Sequence, residues 1–120
     1  MRILILDDNA DMVRSLELVL QQGGFDAATA LNGKEALALQ RQQPADVLIT
    51  DILMPDLDGM EIIDEFRKSW PRVRIIAMSG GGEMVKGDYL SVAGQIGADV
   101  TLRKPVDPDR LVQLLKEFER

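Results

Sequence analysis

Five polar residues in this 120-residue sequence come directly after, or shortly after, apolar runs with the composition of buried strands. They are Asp7, Asp8, Asp51, Ser79 and Lys104. If these runs form one parallel sheet, their carboxyl ends meet along one edge, where ligands of such sheets bind. Three carboxylates at that edge would repel one another, so a hard divalent cation, Mg²⁺ in particular, is expected among them. A carboxylate beside such an ion can attack phosphorus and form an acyl phosphate.

Asp51 is the candidate nucleophile, and it needs no general base because an aspartate is ordinarily ionised at pH 7. Lys104 and Ser79 are of the types that stabilise charge developing on phosphoryl oxygens. Each residue alone also has a purely structural explanation. Asp7 and Asp8 could cap a helix, residues 51–59 could be an acidic turn, and Lys104 could form a surface ion pair. Their joint position after successive predicted strands favours the chemical interpretation.

The spacing of apolar residues predicts five strands that alternate with five helices. Strands are predicted at 3–6, 25–29, 46–50, 73–78 and 100–102, and helices at 11–22, 34–40, 59–70, 88–96 and 108–118. Because right-handed crossovers place helices on both faces of a parallel sheet, the pattern predicts a single α/β domain over residues 1–120.

The composition excludes several classes of function. The sequence has no cysteine, which excludes disulfides and cysteine-ligated zinc, and no histidine, which excludes a histidine base. The net charge of −6 argues against nucleic acid as a direct partner. No apolar run approaches the roughly 20 residues that span a bilayer. We therefore expect a soluble, cytoplasmic protein with no membrane partner.

The whole chain resembles the receiver domains of two-component response regulators. The resemblance rests on Asp7-Asp8, on DILMPDLDG at 51–59, on Ser79, on Gly97-Ala98-Asp99 and on Lys104-Pro105. It implies a flavodoxin-like (βα)5 fold with strand order 2-1-3-4-5. The residue roles that it implies are Asp51 as phosphoacceptor, Asp7, Asp8, Asp51 and the backbone carbonyl of Leu53 as Mg²⁺ ligands, Ser79 and Lys104 as phosphoryl-stabilising groups, and a cis peptide bond at Lys104-Pro105.

The function that the resemblance implies is a phosphorylation-dependent signalling switch. A phosphohistidine on a sensor histidine kinase or a histidine phosphotransfer protein would donate to Asp51. The face built by the fourth helix, fifth strand and fifth helix would then bind a downstream protein. Such a domain catalyses only its own phosphorylation and dephosphorylation, and is expected to be a monomer or weak homodimer. No output domain follows Arg120, so we expect a stand-alone receiver or a fragment of a longer regulator.

The chain departs from the usual receiver pattern at the position that couples phosphorylation to output. Thr101 stands three residues before Lys104, where the family usually has an aromatic residue, and Tyr89 could take over that role. The stretch from Ser79 to Lys104 also looks about three residues longer than in the best-known members. Two other functions stay open: a receiver that binds its partner without phosphorylation, and an aspartyl-phosphate phosphatase. Leu53 argues against the phosphatase, because a second acid is needed two residues after the nucleophile.

Overall fold

The computed structural model describes residues 1–52, 59–80 and 97–119. The elements in these ranges are β1 (Arg2–Leu6), α1 (Ala10–Gln22), β2 (Asp26–Ala30), α2 (Gly33–Gln42), β3 (Val47–Asp51), α3 (Gly59–Ser69), β4 (Arg74–Ser79), β5 (Val100–Arg103) and a C-terminal helix (Pro108–Phe118). Each lies within two residues of its predicted limits. The helix predicted at 88–96 falls outside the described residues.

The five strands form one parallel sheet in the order β2-β1-β3-β4-β5. This confirms the predicted α/β fold and its strand order. The chain first adds β2 on one side of β1 and then continues with β3 on the other side, so strand order reverses between β1 and β3. Ligands of open α/β sheets bind beyond the carboxyl ends of the strands at such a reversal. Asp7 follows β1 there, and Asp51 ends β3.

Two apolar cores cover the two faces of the sheet, because alternate residues of each central strand point to opposite sides. Leu4 and Leu6 of β1 belong to the core under α2 and α3, whereas Ile3 and Ile5 belong to the core under α1 and the C-terminal helix. This is why the central strands are almost continuously apolar. No helix in the described ranges has both the length and the apolar composition needed to cross a membrane.

Candidate functional site

Three carboxylates meet where β1 and β3 end. Asp7 is fully buried, Asp51 is almost fully buried, and Asp8 is exposed. One carboxylate oxygen from each residue lies within 4.8 Å of the others. Carboxylate oxygens that converge from two adjacent strands suit a hard cation such as Mg²⁺, so these residues fit the ion that the resemblance implies. The carbonyl of Leu53, the other implied ligand, lies outside the described residues.

The residue that caps α1 is Asn9. Its Oδ1 accepts a hydrogen bond from the Met12 backbone N–H at 3.1 Å, in the usual N-cap arrangement. Asp7 instead accepts from the Asn9 backbone N–H, at 3.0 Å through Oδ1. The structural alternative in which Asp7 and Asp8 cap this helix is therefore wrong. Both acids lie at the end of β1 and neither serves as the cap of α1.

The backbone around Asp51 is held by short contacts on both sides. The Ile52 N–H lies 3.0 Å from Asp51 Oδ1 and also 3.0 Å from the Met78 carbonyl oxygen. Gly59, the first residue of α3, donates to the Ile52 carbonyl at 2.7 Å. A Cβ at position 59 would overlap the carbonyl oxygen of Asp51 and lie 2.6 Å from that of Ile52. Glycine is therefore required for α3 to begin so close to the acid.

Lys104 is the cation of the cluster. Its Nζ lies 2.8 Å from Asp7 Oδ2 and 3.4 Å from Asp51 Oδ1, and its side chain is only 18% exposed. Burial lowers the pKa of Lys104, but the hydrogen bond to Asp7 and the charges of Asp51 and Asp7 outweigh it, so the pKa is raised. The alternative of a surface ion pair is therefore wrong. One lysine among three carboxylates leaves an excess of negative charge that a cation would neutralise.

Ser79 and Lys104 are joined through the backbone at the same edge of the sheet. The Lys104 N–H donates to the Ser79 carbonyl at 2.8 Å, which brings the ends of β4 and β5 together. Ser79 is fully buried, and its hydroxyl lies 3.3 Å from the Gly80 carbonyl oxygen. The Lys104–Pro105 peptide bond is cis. The structure thus places Ser79 and Lys104 at the edge where Asp7 and Asp51 lie.

The proposed switch residues are described only in part. Thr101 lies on β5 opposite Ala77 of β4 and is partly buried. Tyr89 falls outside the described residues. The roles assigned to both residues stay predictions.

Sequence reasoning missed two features of the site and its surroundings. Residues 51–59 were considered as a possible turn, but nothing in the sequence indicated that Gly59 packs against the backbone of Asp51. The ion pair between Arg67 and Asp99, 3.0 Å long, was also missed. Asp99 belongs to the Gly97-Ala98-Asp99 motif of the receiver resemblance, and this was the only sequence feature that pointed to the ion pair. Arg67 has no distinguishing pattern around it.

Comparisons with known proteins identify the family. The family model described as the response regulator receiver domain matches residues 3–116 of this sequence. A response regulator receiver protein of Anaeromyxobacter sp. is 38% identical over 113 residues, which cover 94% of this chain and 46% of that protein. Chemotaxis protein CheY of Thermotoga maritima is 32% identical over 120 residues, covering 99% of this chain and 98% of that protein. The chain thus spans about half the length of some curated relatives and nearly all of others.

Solved structures agree with this result. A response regulator receiver domain protein from Clostridium thermocellum superposes with a TM-score of 0.87 at 31% identity, over 97% of this chain and 91% of the other. A CheY-like receiver domain protein from Methanospirillum hungatei gives 0.89 at 28% identity, over 98% and 91%. With its strand order and nearly the whole chain matched, the protein belongs to the response regulator receiver domains of two-component systems, a family whose function is phosphorylation-dependent signalling.

Proposed function

We propose that this receiver is switched by transfer of a phosphoryl group to Asp51, with Mg²⁺ held by Asp7, Asp8 and Asp51. The observation that carries the proposal is the convergence of these three carboxylates within 4.8 Å at the sheet edge. A bound Mg²⁺ would supply positive charge that neutralises the phosphoryl oxygens and the acids around them. The chain's own residues supply the nucleophile, a second cation and a hydroxyl donor.

In the transfer step a carboxylate oxygen of Asp51 attacks phosphorus. The new O–P bond forms as the P–N bond of a phosphohistidine breaks, and the bonding electron pair returns to the donor's imidazole. This gives an aspartyl phosphate and a histidine side chain that takes a proton from water. Lys104 already lies 3.4 Å from Asp51 Oδ1, so its ammonium group is placed to meet the added negative charge. Ser79 would donate its hydroxyl hydrogen to a phosphoryl oxygen.

The partners follow from this chemistry and from the family. The sequence contains no histidine, so the phosphohistidine lies outside these 120 residues, and the family favours a sensor histidine kinase or a histidine phosphotransfer protein as the donor. The downstream partner is a protein that binds the face including β5 and the C-terminal helix once Asp51 is phosphorylated. We place this exchange in the cytoplasm, on the basis of the family alone.

The proposal is tested by incubating the protein with Mg²⁺ and acetyl phosphate and measuring its intact mass. We expect one phosphoryl group on the wild type, none on Asp51→Asn and none when the metal is chelated. The matched control is Asp64→Asn, because Asp64 is an exposed acid on α3 that pairs only with Lys68 by ion pair within the described ranges. This variant should be phosphorylated as well as the wild type. Equal labelling of Asp51→Asn and wild type would contradict the assignment.

The same samples test whether the chain is an enzyme with turnover. We expect no sustained release of inorganic phosphate from small phosphate esters such as p-nitrophenyl phosphate. Release that continues far beyond one equivalent and is lost in Asp51→Asn would instead favour an aspartyl-phosphate phosphatase.

A further inference from the structure

Arg67 joins the end of α3 to the start of β5. Its Nη1 donates to the Pro71 and Val73 carbonyls at 2.8 and 3.0 Å. Its Nη2 donates to the Gly97 carbonyl at 2.6 Å and to Asp99 Oδ2 at 3.0 Å. One planar guanidinium therefore holds the chain that leads into β4 and the chain that leads into β5.

Asp99 connects the same guanidinium to β4. Its Oδ2 accepts the Ile75 N–H at 2.7 Å, while its own N–H donates to the Ile75 carbonyl at 2.8 Å. Gly97 is fitted closely to this contact, with a φ of +144°, and a Cβ there would lie 3.1 Å from Arg67 Nε. We call Arg67, Gly97, Asp99 and Ile75 the β5 clamp.

The clamp acts on an edge strand. Within the described residues β5 is hydrogen-bonded to β4 alone, with Val100 opposite Ile76 and Arg103 opposite Ser79. Edge strands with one neighbour and little burial are weakly specified in register. Val100 and Leu102 pack against the core under α1 and the C-terminal helix but are only partly buried, so this packing fixes the register less firmly than a fully buried face would. The clamp supplies directional contacts at the amino end of this strand.

Lys104 comes immediately after β5, at its other end. A register slip of one residue would move the strand by about 3.3 Å along β4. The contact of 2.8 Å between Lys104 Nζ and Asp7 would not survive that displacement without rearrangement of the lysine. The position of the lysine therefore depends on where β5 begins.

We propose that Arg67 and Asp99 are positioning residues for Lys104, because their contacts with Gly97 and Ile75 set the register of β5. The inference rests on the proposed function, in which Lys104 stabilises the phosphoryl group on Asp51. Neither Arg67 nor Asp99 touches the reacting atoms. Their effect on phosphoryl transfer passes through β5 and ends at Lys104.

The chain offers a matched control at the same amino end of the sheet. Arg2 pairs with Asp26 at 3.1 Å, and its Nε donates to the Gln43 carbonyl at 3.2 Å. This second arginine clamp holds β1 and β2 but makes no contact with β5 among the described residues. Arg2→Met therefore removes an ion pair and a hydrogen bond to a backbone carbonyl, contacts of the same kinds as those of Arg67, without changing the strand that leads to Lys104.

The first measurement is the rate at which acetyl phosphate and Mg²⁺ phosphorylate Asp51. We expect Arg67→Met and Asp99→Ala to lower this rate about tenfold, as displacement of a stabilising group does. Asp99→Asn keeps an oxygen for Ile75 and Arg67 and should stay within about twofold of wild type, as should Arg2→Met. On a Lys104→Met background, Arg67→Met should lower the residual rate less than about twofold.

The second measurement is acylation of Lys104 by an amine-reactive ester, followed by peptide mass spectrometry. It needs no phosphorylation. Lys104 is mostly buried, so we expect slow acylation in wild type and Arg2→Met, and severalfold faster acylation in folded Arg67→Met and Asp99→Ala. If Arg67→Met fails to fold, Arg67→Lys replaces it, because a single ammonium cannot keep all four contacts. That variant should show about a threefold effect in both measurements.

The outcomes separate this inference from the proposed function. Equal acylation of Lys104 in the clamp variants and in Arg2→Met overturns the inference, even if wild-type Asp51 is phosphorylated normally. A full tenfold loss from Arg67→Met on the Lys104→Met background also overturns it. If wild type is never phosphorylated but the acylation pattern is as expected, the proposed function fails and the positioning of Lys104 stands.

Discussion

The amino ends and the carboxyl ends of the strands, here called the amino edge and the carboxyl edge of the sheet, differ in how their charges are balanced. At the amino edge Arg2 pairs with Asp26 and Arg67 pairs with Asp99, and both guanidinium groups also donate to backbone carbonyls. At the carboxyl edge, within the described residues, three carboxylates face the ammonium group of Lys104. The balanced amino edge stabilises the fold, whereas the carboxyl edge carries an excess of negative charge that a cation would neutralise.

The largest effect should come from the glycine that brings α3 against the carboxyl edge. In Gly59→Ala the new Cβ would overlap the Asp51 carbonyl oxygen and approach that of Ile52. Backbone atoms cannot move aside as a flexible side chain can, so we expect a loss of more than about 3 kcal/mol in the free energy of unfolding. Urea denaturation followed by circular dichroism measures this. A loss below about 1 kcal/mol would mean that α3 can begin elsewhere.

Removal of the Lys104 ammonium group should have the next largest effect. Lys104→Met leaves buried Asp7 and Asp51 without their ammonium partner, and breaking a buried ion pair costs about 3 kcal/mol. Millimolar Mg²⁺ should restore part of this stability, because the acids then have another cation. Urea denaturation with and without Mg²⁺ measures both effects. If Mg²⁺ stabilises this variant less than it stabilises wild type, the carboxyl edge does not work as described.

Removal of one acid should change stability with opposite signs at the two edges. Asp8 is exposed and has no ion-pair or hydrogen-bond partner within the described ranges, so Asp8→Asn relieves repulsion and should stabilise the metal-free protein by about 0.5 kcal/mol. Asp99→Ala removes the carboxylate partner of Arg67 and the side-chain acceptor of the Ile75 N–H, and should destabilise the protein by about 1–2 kcal/mol. Thermal and urea unfolding in a chelator compare the two variants. Destabilisation by both would remove the distinction between the edges.

The smallest effect should be a pH dependence of stability in the alkaline range. Because the folded-state pKa of Lys104 is raised, its contribution to stability is complete below the ordinary lysine pKa of 10.5. That contribution is lost as the pH rises through the higher folded-state value. The difference in unfolding free energy between wild type and Lys104→Met should therefore stay constant between about pH 7 and pH 10 and shrink above pH 10. A difference that grows with alkaline pH would be the wrong sign.

Much of the fold was predictable because a parallel sheet covered on both faces needs continuous apolar strands. Runs such as Ile3–Leu6 and Val47–Thr50 have that composition, and the predicted limits agree with the structure to within two residues. The site followed from the same reasoning, since parallel strands bring their carboxyl ends together. This placed Asp7, Asp51 and Lys104 at one edge before any distance was known.

The parts that could not be predicted depend on contacts between residues distant in sequence. Arg67 and Asp99 are 32 residues apart, and each resembles an ordinary surface charge until the strands are in place. Gly59 could not be distinguished from a turn glycine, because its restriction comes from the backbone of Asp51. Asn9 rather than Asp8 is the helix cap because α1 begins at Ala10. The spacing of apolar residues does not fix the first residue of a helix to within one position.

The most direct test of the central claim is chemical mapping of the phosphorylated residue. Borohydride reduces an aspartyl phosphate to homoserine, which peptide mass spectrometry locates within the sequence. After treatment with Mg²⁺ and a phosphodonor, we expect homoserine at position 51 and at no other aspartate. Homoserine at another acid with residue 51 unchanged, or complete absence of reducible phosphate under several donors, would contradict the central claim.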